Sequence, residues 1–278
     1  MRRADFAQEL AVATRLARAA GAAILEVYAG RVEVAYKGGG TSDPVTDADR
    51  RANAIIVEGL SREFPQDAIL AEETVPEIAR HQKPRLWCVD PLDGTREFID
   101  KNGQFVVMIG LAIDGLAACG VVYQPTEDLL LAGGGGEAFA EVGGARRALC
   151  PTLTADPRQA RMMVSRSHRS ATVTKVAASL GISNEEPLGS VGLKVSRVAT
   201  GSADLYLSVS NQTHEWDACA PDAILTAAGG TFSDCLGNPL RYNKKTTQTP
   251  YGILATNGPL HQSVVRALAP IARERGWG

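Results

Sequence analysis

With 278 residues, the chain is long enough for one large globular domain or two modest ones, and its 45% hydrophobic and 22% charged residues are ordinary for a folded protein. A formal net charge of -2 excludes the strongly basic surface typical of nucleic-acid binding, so no nucleic-acid partner is predicted. No secretory signal or membrane-spanning apolar stretch is evident, and the five cysteines lack both metal-ligand spacing and an even count, which predicts a cytoplasmic protein without membrane insertion.

The first half of the chain predicts two helices followed by a series of strands. Thr46 is a capping residue that begins the second helix, and Pro65 ends it. Asp114-Gly115 joins two strands as a hairpin. The glycines at 133–136 are interpreted as a flexible hairpin tip, because neither a Lys-Ser/Thr pair nor a helix follows them. The predicted strands cover residues 68–71, 86–89, 105–113, 116–123, 129–132 and 138–142.

A domain boundary is predicted near Cys150-Pro151, which divides the chain into residues 1–150 and 151–278. Beyond it, helices and strands alternate, and such alternation is typical of an α/β domain. The predicted elements are residues 161–165, 170–180, 190–200, 204–208, 217–228, 253–256 and 261–273. We therefore predict an α+β first domain that packs on a mixed α/β second domain supplying Asp217 and substrate contacts.

The central motif is the run Asp90-Pro91-Leu92-Asp93-Gly94-Thr95, which follows an apolar strand. Pro91 and Gly94 turn the chain, so Asp90 and Asp93 project from one strand end. Carboxylates are ligands for Mg²⁺, and the amides at the start of a helix attract phosphate. The motif thus indicates a metal and phosphate site, although a single Asp-x-x-Asp is also common as a turn and helix cap.

Two further acidic residues favour a metal site over a simple turn and helix cap at Asp90 and Asp93. Glu72 follows the preceding predicted strand, and Asp217 begins a helix in the second half. Four acids at element ends repel one another unless cations bind between them.

These motifs together resemble the inositol monophosphatase superfamily of lithium-sensitive phosphatases. The resemblance rests on the run from Asp90 to Thr95, on Glu72-Glu73 before it and on Trp216-Asp217 after it, and it spans about residues 37 to 230. The segments 96–99, 102–105, 165–168 and 189–194 are similar to the CysQ-type branch of 3′(2′),5′-bisphosphate nucleotidases. The resemblance implies an αβαβα layered sandwich, with an antiparallel sheet in the first half and a mixed α/β second half.

The resemblance also implies two or three Mg²⁺ ions in each site. Glu72, Asp90 and the Leu92 carbonyl are expected to bind one ion. Asp90, Asp93 and Asp217 are expected to bind a second, and Glu72 can share a third through water.

The catalytic residues implied by the resemblance are Thr95, Asp49 and Glu72. Thr95 and Asp49 form the pair that orients and deprotonates the attacking water. Asp47 lies two residues from Asp49, but the family spacing Val-Thr-x-x-Asp selects Asp49, and Asp47 is expected to complement the helix dipole. Lys37 is expected near the site.

Substrate contacts are expected from both halves of the chain. Lys194 and Arg197 lie three residues apart on one predicted helix face, so they, or Arg166, could meet a second phosphate, although each could also be a solvated surface charge. Of the four histidines, His214 is the one expected near the site, where it could take part in catalysis or be a bystander. The expected substrate-binding residues are Glu72, Asp93, Gly94, Thr95, Ser190, Lys194 and Asp217.

The leading hypothesis is therefore hydrolysis of 3′-phosphoadenosine 5′-phosphate, in support of sulfate assimilation, with its 5′-phosphosulfate as a further candidate substrate. Ser210 stands where many inositol-specific members carry an acid, and Glu215 precedes Trp216, which weakens an inositol phosphate assignment. An inositol-1-phosphate or other sugar phosphatase stays open, as does a non-catalytic metal- and phosphate-binding regulator. The expected partner is a small phosphate ester, with a homodimer as a possibility.

Overall fold

The computed structural model describes residues 5–30, 34–36, 44–166 and 169–277. The α-helices are α1 Ala7–Ala29, α2 Asp47–Glu63, α3 Thr95–Ile99, α4 Ala171–Leu180, α5 Val191–Ala199, α6 Glu215–Ala227 and α7 His261–Glu274. The strands are β1 Val34–Tyr36, β2 Pro44–Thr46, β3 Ala68–Ala71, β4 Arg85–Asp93, β5 Val106–Ile113, β6 Leu116–Gln124, β7 Leu129–Gly134, β8 Glu137–Val142, β9 Ala145–Ala148, β10 Arg161–Ser165, β11 Asn184–Leu188, β12 Leu205–Ser208, β13 Thr231–Ser233 and β14 Ile253–Thr256.

Two large sheets organise these elements. The first sheet has seven strands in the order β3-β4-β5-β6-β7-β8-β9, and the second has five in the order β11-β10-β12-β14-β13. The pair β1 and β2 forms a separate antiparallel ribbon. β10 pairs in parallel with β11 and β12, whereas β14 pairs antiparallel with β12 and β13, so the second sheet is mixed as predicted.

The sheets and helices stack in five layers. Helices α1 and α2 pack on one face of the first sheet, where Trp87 and Val89 join their apolar cluster. Leu86 and Cys88 alternate with them and face the cluster between the two sheets, to which α5 and α6 contribute. Helices α4 and α7 cover the far face of the second sheet. The predicted αβαβα layered sandwich is thereby confirmed.

Several details of the sheets differ from the sequence-based expectation, which also lacked the short strands β9 and β13. β3 pairs in parallel with β4, because the segment between them crosses over instead of turning back, so the first sheet is not wholly antiparallel. β11 escaped prediction because Asn184–Leu188 is polar and partly exposed at a sheet edge. Gly133 and Gly134 belong to β7, and only Gly135-Gly136 forms the hairpin tip.

The helix boundaries follow their capping chemistry. Thr46 precedes α2 as its N-cap, and the capping box with Asp49 satisfies amides at the helix start. The hairpin of β5 and β6 forms around Asp114-Gly115, as predicted. In the part of the chain that the structure describes, none of the helices combines the length and apolarity needed to cross a membrane.

Candidate active site

The strand that carries the central motif ends in a bulge. β4 and β5 pair regularly as far as Asp90 and Met108, and pairing resumes with Asp93 opposite Val106, so β4 contains one extra residue. The amide of Leu92 donates to the Asp90 carboxyl group at 3.0 Å, which stabilises this turn. Both acids are buried. The bulge therefore places the two carboxyl groups together at the end of β4.

Thr95 begins α3 directly after Gly94, whose φ of 103° is left-handed. Its hydroxyl group lies 3.2 Å from one Asp49 oxygen and 3.3 Å from the Leu92 carbonyl oxygen. The other Asp49 oxygen accepts hydrogen bonds from the Thr46 amide (2.7 Å) and hydroxyl (2.6 Å). Burial raises the pKa of Asp49, and the bonds from Thr46 oppose that rise.

The neighbouring acid Asp47 has a different environment. It forms an ion pair with Arg51 across one turn of α2 at 2.6 Å, and about half of its side chain is exposed. The structure thus brings Asp49, and not Asp47, to Thr95.

Four carboxyl groups from three elements meet at the end of β4. Burial raises the pKa of Asp90 well above its ordinary value, and the neighbouring charges of Glu72, Asp93 and Asp217 raise it further. Burial also raises the pKa of Asp217 and Asp93. The amide of Glu72 donates to Val89 at 3.1 Å, which places Glu72 beside the end of β4. The structure therefore brings together the four predicted acids.

Neighbouring groups hold these acids in place. Asp93 accepts hydrogen bonds from the Ser190 hydroxyl (2.5 Å) and the Gly192 amide (2.7 Å) at the start of α5, and Asp217 accepts from the His214 amide (2.6 Å). Asp90 also shares hydrogen bonds with the carboxyl groups of Glu72 and Asp217.

The chemistry of this donor set fits a hard divalent cation. In the described ranges, no three acid, histidine or cysteine groups already surround a point that could hold a metal ion, and the carboxyl groups bond to one another. Burial is the main cause of the raised pKa values of Asp90, Asp93 and Asp217, and the charges of neighbouring acids add to it at Asp90 and Asp217. A bound cation would favour the charged form of each carboxyl group. Oxygen ligands at this density suit Mg²⁺ once the bonds of Asp90 to Glu72 and Asp217 are exchanged for metal ligation.

Lys194 lies beneath the acids in a buried position. Its ammonium group donates to the Leu188 carbonyl at 3.4 Å and lies 5.1 Å from the centre of the Tyr206 ring. Burial lowers its pKa to about 8, while the charges of Asp93, Glu97 and Asp217 oppose that shift.

The other predicted cations lie elsewhere. Arg197 and Arg166 are exposed and do not line the cavity over the acids, so the shared helix face of Lys194 and Arg197 does not bring both to the site. Lys37, Ser167 and His168 fall outside the described residues.

The start of α6 positions Asp217 through a buried acid whose role was not predicted. Glu215 is fully buried and accepts from the amides of Asn243 (2.8 Å) and Lys244 (2.9 Å) and from the Lys244 ammonium group (2.8 Å). Asn243 in turn bonds to Arg80 of the first half at 2.8 Å. Glu215 therefore ties the Asp217 helix to the segment that follows Glu72.

His214 is the N-cap of α6. Its ring stacks on Trp216 with 4.5 Å between centroids, and its Nδ1 lies 2.7 Å from the Thr247 hydroxyl group. These contacts give His214 a structural role at the edge of the site.

A cavity of about 1110 Å³ opens over the acids. Six of the seven predicted substrate-binding residues line it: Glu72, Asp93, Gly94, Ser190, Lys194 and Asp217. The seventh, Thr95, is not among the lining residues. Arg96, Arg169, Arg275 and Trp277 also line it. Arg96 belongs to a segment that resembles the CysQ-type branch, and the sequence indicated no role for the other three. Arg275 and Trp277 follow α7, where helical periodicity was the only local signal, so their approach to the cavity depends on the packing of α7.

The profile of the inositol monophosphatase family matches residues 5–273. The chain belongs to the inositol monophosphatase family. Within this family, the chain is 37% identical over 233 residues to the 3′(2′),5′-bisphosphate nucleotidase CysQ of Escherichia coli strain K12. The aligned region covers 83% of this chain and 92% of that protein. It is 33% identical to an inositol-1-monophosphatase of Synechocystis over 95% of this chain and 90% of that protein.

The fold of a solved family member agrees with these sequence relationships. The crystal structure of CysQ from Bacteroides thetaiotaomicron, a bacterial member of the inositol monophosphatase family, superposes with a TM-score of 0.77 and 32% identity, covering 91% of this chain and 98% of that chain. The family resemblance predicted from the motifs is confirmed.

Proposed function

We propose that this protein is a Mg²⁺-dependent phosphomonoesterase that converts 3′-phosphoadenosine 5′-phosphate to AMP and phosphate, with the 5′-phosphosulfate as a second substrate. The main support is the cluster of four carboxyl groups beside the Thr95–Asp49 pair, next to a cavity large enough for a nucleotide. Asp90 and Asp93 of this cluster are buried, and Glu72 and Asp217 are half-buried. The identity to relatives named 3′(2′),5′-bisphosphate nucleotidase favours this substrate over others in the family.

The acids divide into two overlapping ligand sets. Glu72, Asp90 and the Leu92 carbonyl would hold one Mg²⁺, and Asp90, Asp93 and Asp217 a second, with Glu72 sharing a third through water. Bound Mg²⁺ supplies positive charge against the phosphate dianion and lowers the pKa of water. The bulge of β4 and the bonds at the starts of α5 and α6 keep these side chains in position without substrate.

The Thr95–Asp49 pair handles the proton of the attacking water. Thr95 donates to the Asp49 carboxylate, so the lone pairs of its hydroxyl oxygen would be free to accept a proton from an attacking water. As the water attacks phosphorus, its proton passes to Thr95 while Asp49 receives the Thr95 proton. The raised pKa of Asp49 makes it a stronger base for this step. The amides of Gly94 and Thr95 would contact the phosphate.

Hydrolysis of inositol 1-phosphate is the second candidate. The Synechocystis relative named inositol-1-monophosphatase is similar over 95% of this chain. A non-catalytic regulator gains little support, because a regulator has no need of the complete set of acids together with the Thr95–Asp49 pair.

A substrate panel tests the proposal. Phosphate release is measured with 3′-phosphoadenosine 5′-phosphate, its 5′-phosphosulfate, inositol 1-phosphate and fructose 1,6-bisphosphate, each with Mg²⁺ and with EDTA. We expect EDTA to abolish release and the bisphosphate nucleotide to have a kcat/KM at least about 10-fold above that of inositol 1-phosphate, the effect of one charge-assisted contact to the second phosphate. Asp93→Asn should lose about 100-fold in turnover. A preference for inositol 1-phosphate would establish the second candidate instead.

Several wider assignments extend this proposal. Inhibition by Li⁺, a role in sulfate assimilation, a cytoplasmic location, a homodimer and the division into domains at residue 150 stay predictions.

A further inference from the structure

The cavity extends well beyond the acids, to the end of α7 in the outermost helical layer. Arg275 and Trp277 line the cavity there, together with Val173 of α4 and Val209 after β12. The acids occupy the other side, at the end of β4 and the start of α6. A substrate that reaches from the acids to α7 would be longer than a phosphate on a small alcohol.

The backbone fixes Trp277 in this position. Gly276 has a left-handed φ of 66°, and the Trp277 amide donates to the Ala272 carbonyl at 2.8 Å, which is the hydrogen bond of a Schellman motif. The motif turns the chain back over the last turn of α7, so Trp277 packs against the apolar cluster of that layer. The Tyr251 ring lies 5.9 Å from the Trp277 ring, at an angle of 54°. The indole ring is therefore anchored at the edge of the cavity.

Arg275 is held beside this ring. Its guanidinium group donates to the Val209 carbonyl (3.0 Å) and the Thr172 hydroxyl (2.9 Å), and its central carbon lies 5.1 Å from the centre of the Trp277 ring. No acid forms an ion pair with Arg275 among the residues that the structure describes. A guanidinium group has five N–H donors, so the two bonds leave several for an anion.

The other cations of the cavity are less suited to a distant phosphate. Lys194 is buried among the acids, and Arg96 follows Thr95 at the reacting end. Arg169 already pairs with both carboxylate oxygens of Glu185, at 2.5 and 2.9 Å.

Among the aromatic rings that line the cavity in the described part of the chain, Trp216 adjoins Asp217 and is stacked on His214. The buried Tyr206 ring lies 5.1 Å from the Lys194 ammonium group, at the end of the cavity where the acids lie. Trp277 is thus the ring that lies away from the acids and beside a cation without an acid partner.

We infer that Arg275 and Trp277 form the subsite for the nucleoside end of the substrate, Trp277 contacting the base and Arg275 the non-reacting 5′-phosphate. This inference rests on the proposed nucleotidase function and names the residues that would select the nucleotide. An aromatic ring accepts a base face, and a guanidinium group binds a phosphate through paired N–H groups. Lys194, expected from sequence to meet the second phosphate, then belongs to the reacting end.

Kinetics of three variants test the subsite. Trp277→Leu keeps apolar packing without an aromatic face, Trp277→Phe restores an aromatic ring, and Arg275→Gln removes the charge. For 3′-phosphoadenosine 5′-phosphate, Trp277→Leu and Arg275→Gln should each raise KM about 10-fold, and Trp277→Phe should recover most of the loss. Arg275→Gln should have little effect on adenosine 3′-phosphate, which lacks the 5′-phosphate. The exposed Arg273, also at the end of α7, supplies the control Arg273→Gln, which should match the wild type.

Two further measurements separate the subsite from the proposed function. Glycerol 2-phosphate has neither base nor second phosphate, so an equal loss of kcat/KM for it and for the bisphosphate nucleotide in Trp277→Leu would overturn the subsite. AMP binding, measured by calorimetry in EDTA, does not depend on turnover. Trp277→Leu should raise the dissociation constant of AMP about 10-fold. If the wild type does not hydrolyse the nucleotide but the Trp277 and Arg275 variants bind AMP more weakly than the wild type, the proposed function is wrong and the subsite is supported. Unchanged AMP binding in both variants would refute the subsite.

Discussion

At the scale of single residues, burial decides what each acid of this protein can do. Asp49 and Asp47 are two residues apart in sequence, yet Asp49 is buried beside Thr95 whereas Asp47 is about half exposed and paired with Arg51. The family spacing selected Asp49, and the structure supplies a physical reason in the bond to Thr95. Lys194 shows the opposite case. Its three-residue spacing from Arg197 predicted a shared helix face that could meet a second phosphate, but the helix packing buries Lys194 and leaves Arg197 exposed.

A buried acid outside the catalytic cluster gives a prediction for stability. Burial raises the pKa of Asp222 to about 6, and the hydroxyl groups of Tyr242 (2.8 Å) and Thr226 (3.1 Å) bond to it. A carboxyl group with a raised pKa binds its proton more tightly in the folded state, so it lowers stability as pH rises from about 4 to about 6.

We therefore expect that the Asp222→Asn variant does not lose stability in this way as pH rises from about 4 to about 6. Its free energy of unfolding, relative to the wild type, should rise by about 2 to 3 kcal/mol between pH 4 and pH 7. Urea denaturation in EDTA at several pH values measures the difference. A difference that is constant with pH would show that Asp222 has an ordinary pKa.

At the scale of elements, α6 is the helix that determines the site. It rests on the first sheet where β5 and β6 have glycines. A Cβ atom at Gly110 would lie 2.5 Å from the Ala220 amide nitrogen, and one at Gly120 would lie 2.7 Å from the Ala220 Cα. Without side chains at these positions, the helix that carries Asp217 can approach the strands closely. No periodicity in the sequence indicates this approach.

Gly110→Ala should therefore force α6 away from the sheet. The contacted atoms belong to the α6 backbone and cannot rotate aside, so we expect a loss of about 1 to 3 kcal/mol in unfolding free energy. Turnover should also fall, because Asp217 moves with the helix.

Denaturation and phosphate-release assays on the same preparation test both effects. Gly30→Ala is a matched control, since its Cβ would have its nearest neighbour at 3.6 Å. If Gly110→Ala behaves like Gly30→Ala in both assays, the close approach has no functional importance.

At the scale of the whole molecule, the acids come from both halves of the chain, which share one apolar core. Glu72, Asp90 and Asp93 belong to the first sheet and its connections, and Asp217 begins a helix between the sheets. The apolar cluster between the sheets contains residues of both halves. The cation proposed for Asp90, Asp93 and Asp217 would therefore link the two halves.

This arrangement predicts stabilisation by metal. Mg²⁺ at 100 times its dissociation constant should add about 2.7 kcal/mol, which corresponds to a rise in Tm on the order of 5 °C. Asp217→Asn should lose most of this rise and should raise the metal-free Tm, because it removes one charge from a crowded site.

Thermal unfolding with EDTA and with increasing Mg²⁺ measures both changes. Asp114→Asn removes an exposed acid from the hairpin turn and should retain the wild-type response. An equal Mg²⁺ response in Asp217→Asn and the wild type would exclude Asp217 as a ligand.

The sequence by itself determined the family and the layered fold, and it singled out the four acids that the structure brings together. These features can be read from residues that are neighbours in sequence. The run from Asp90 to Thr95 lies on one strand and the turn after it, and the capping residues Thr46 and Gly181 mark helix ends. The polar edge strand β11 was missed because it is defined by its pairing with β10 and not by an apolar pattern.

Only the tertiary structure decided which distant groups meet. Glu215 meets Lys244, Lys194 is buried beneath Asp93, and Trp277 reaches the cavity, because helices α5, α6 and α7 pack against two sheets at particular angles. Side chains far apart in sequence make these contacts, and their energies depend on burial and orientation that no local pattern contains.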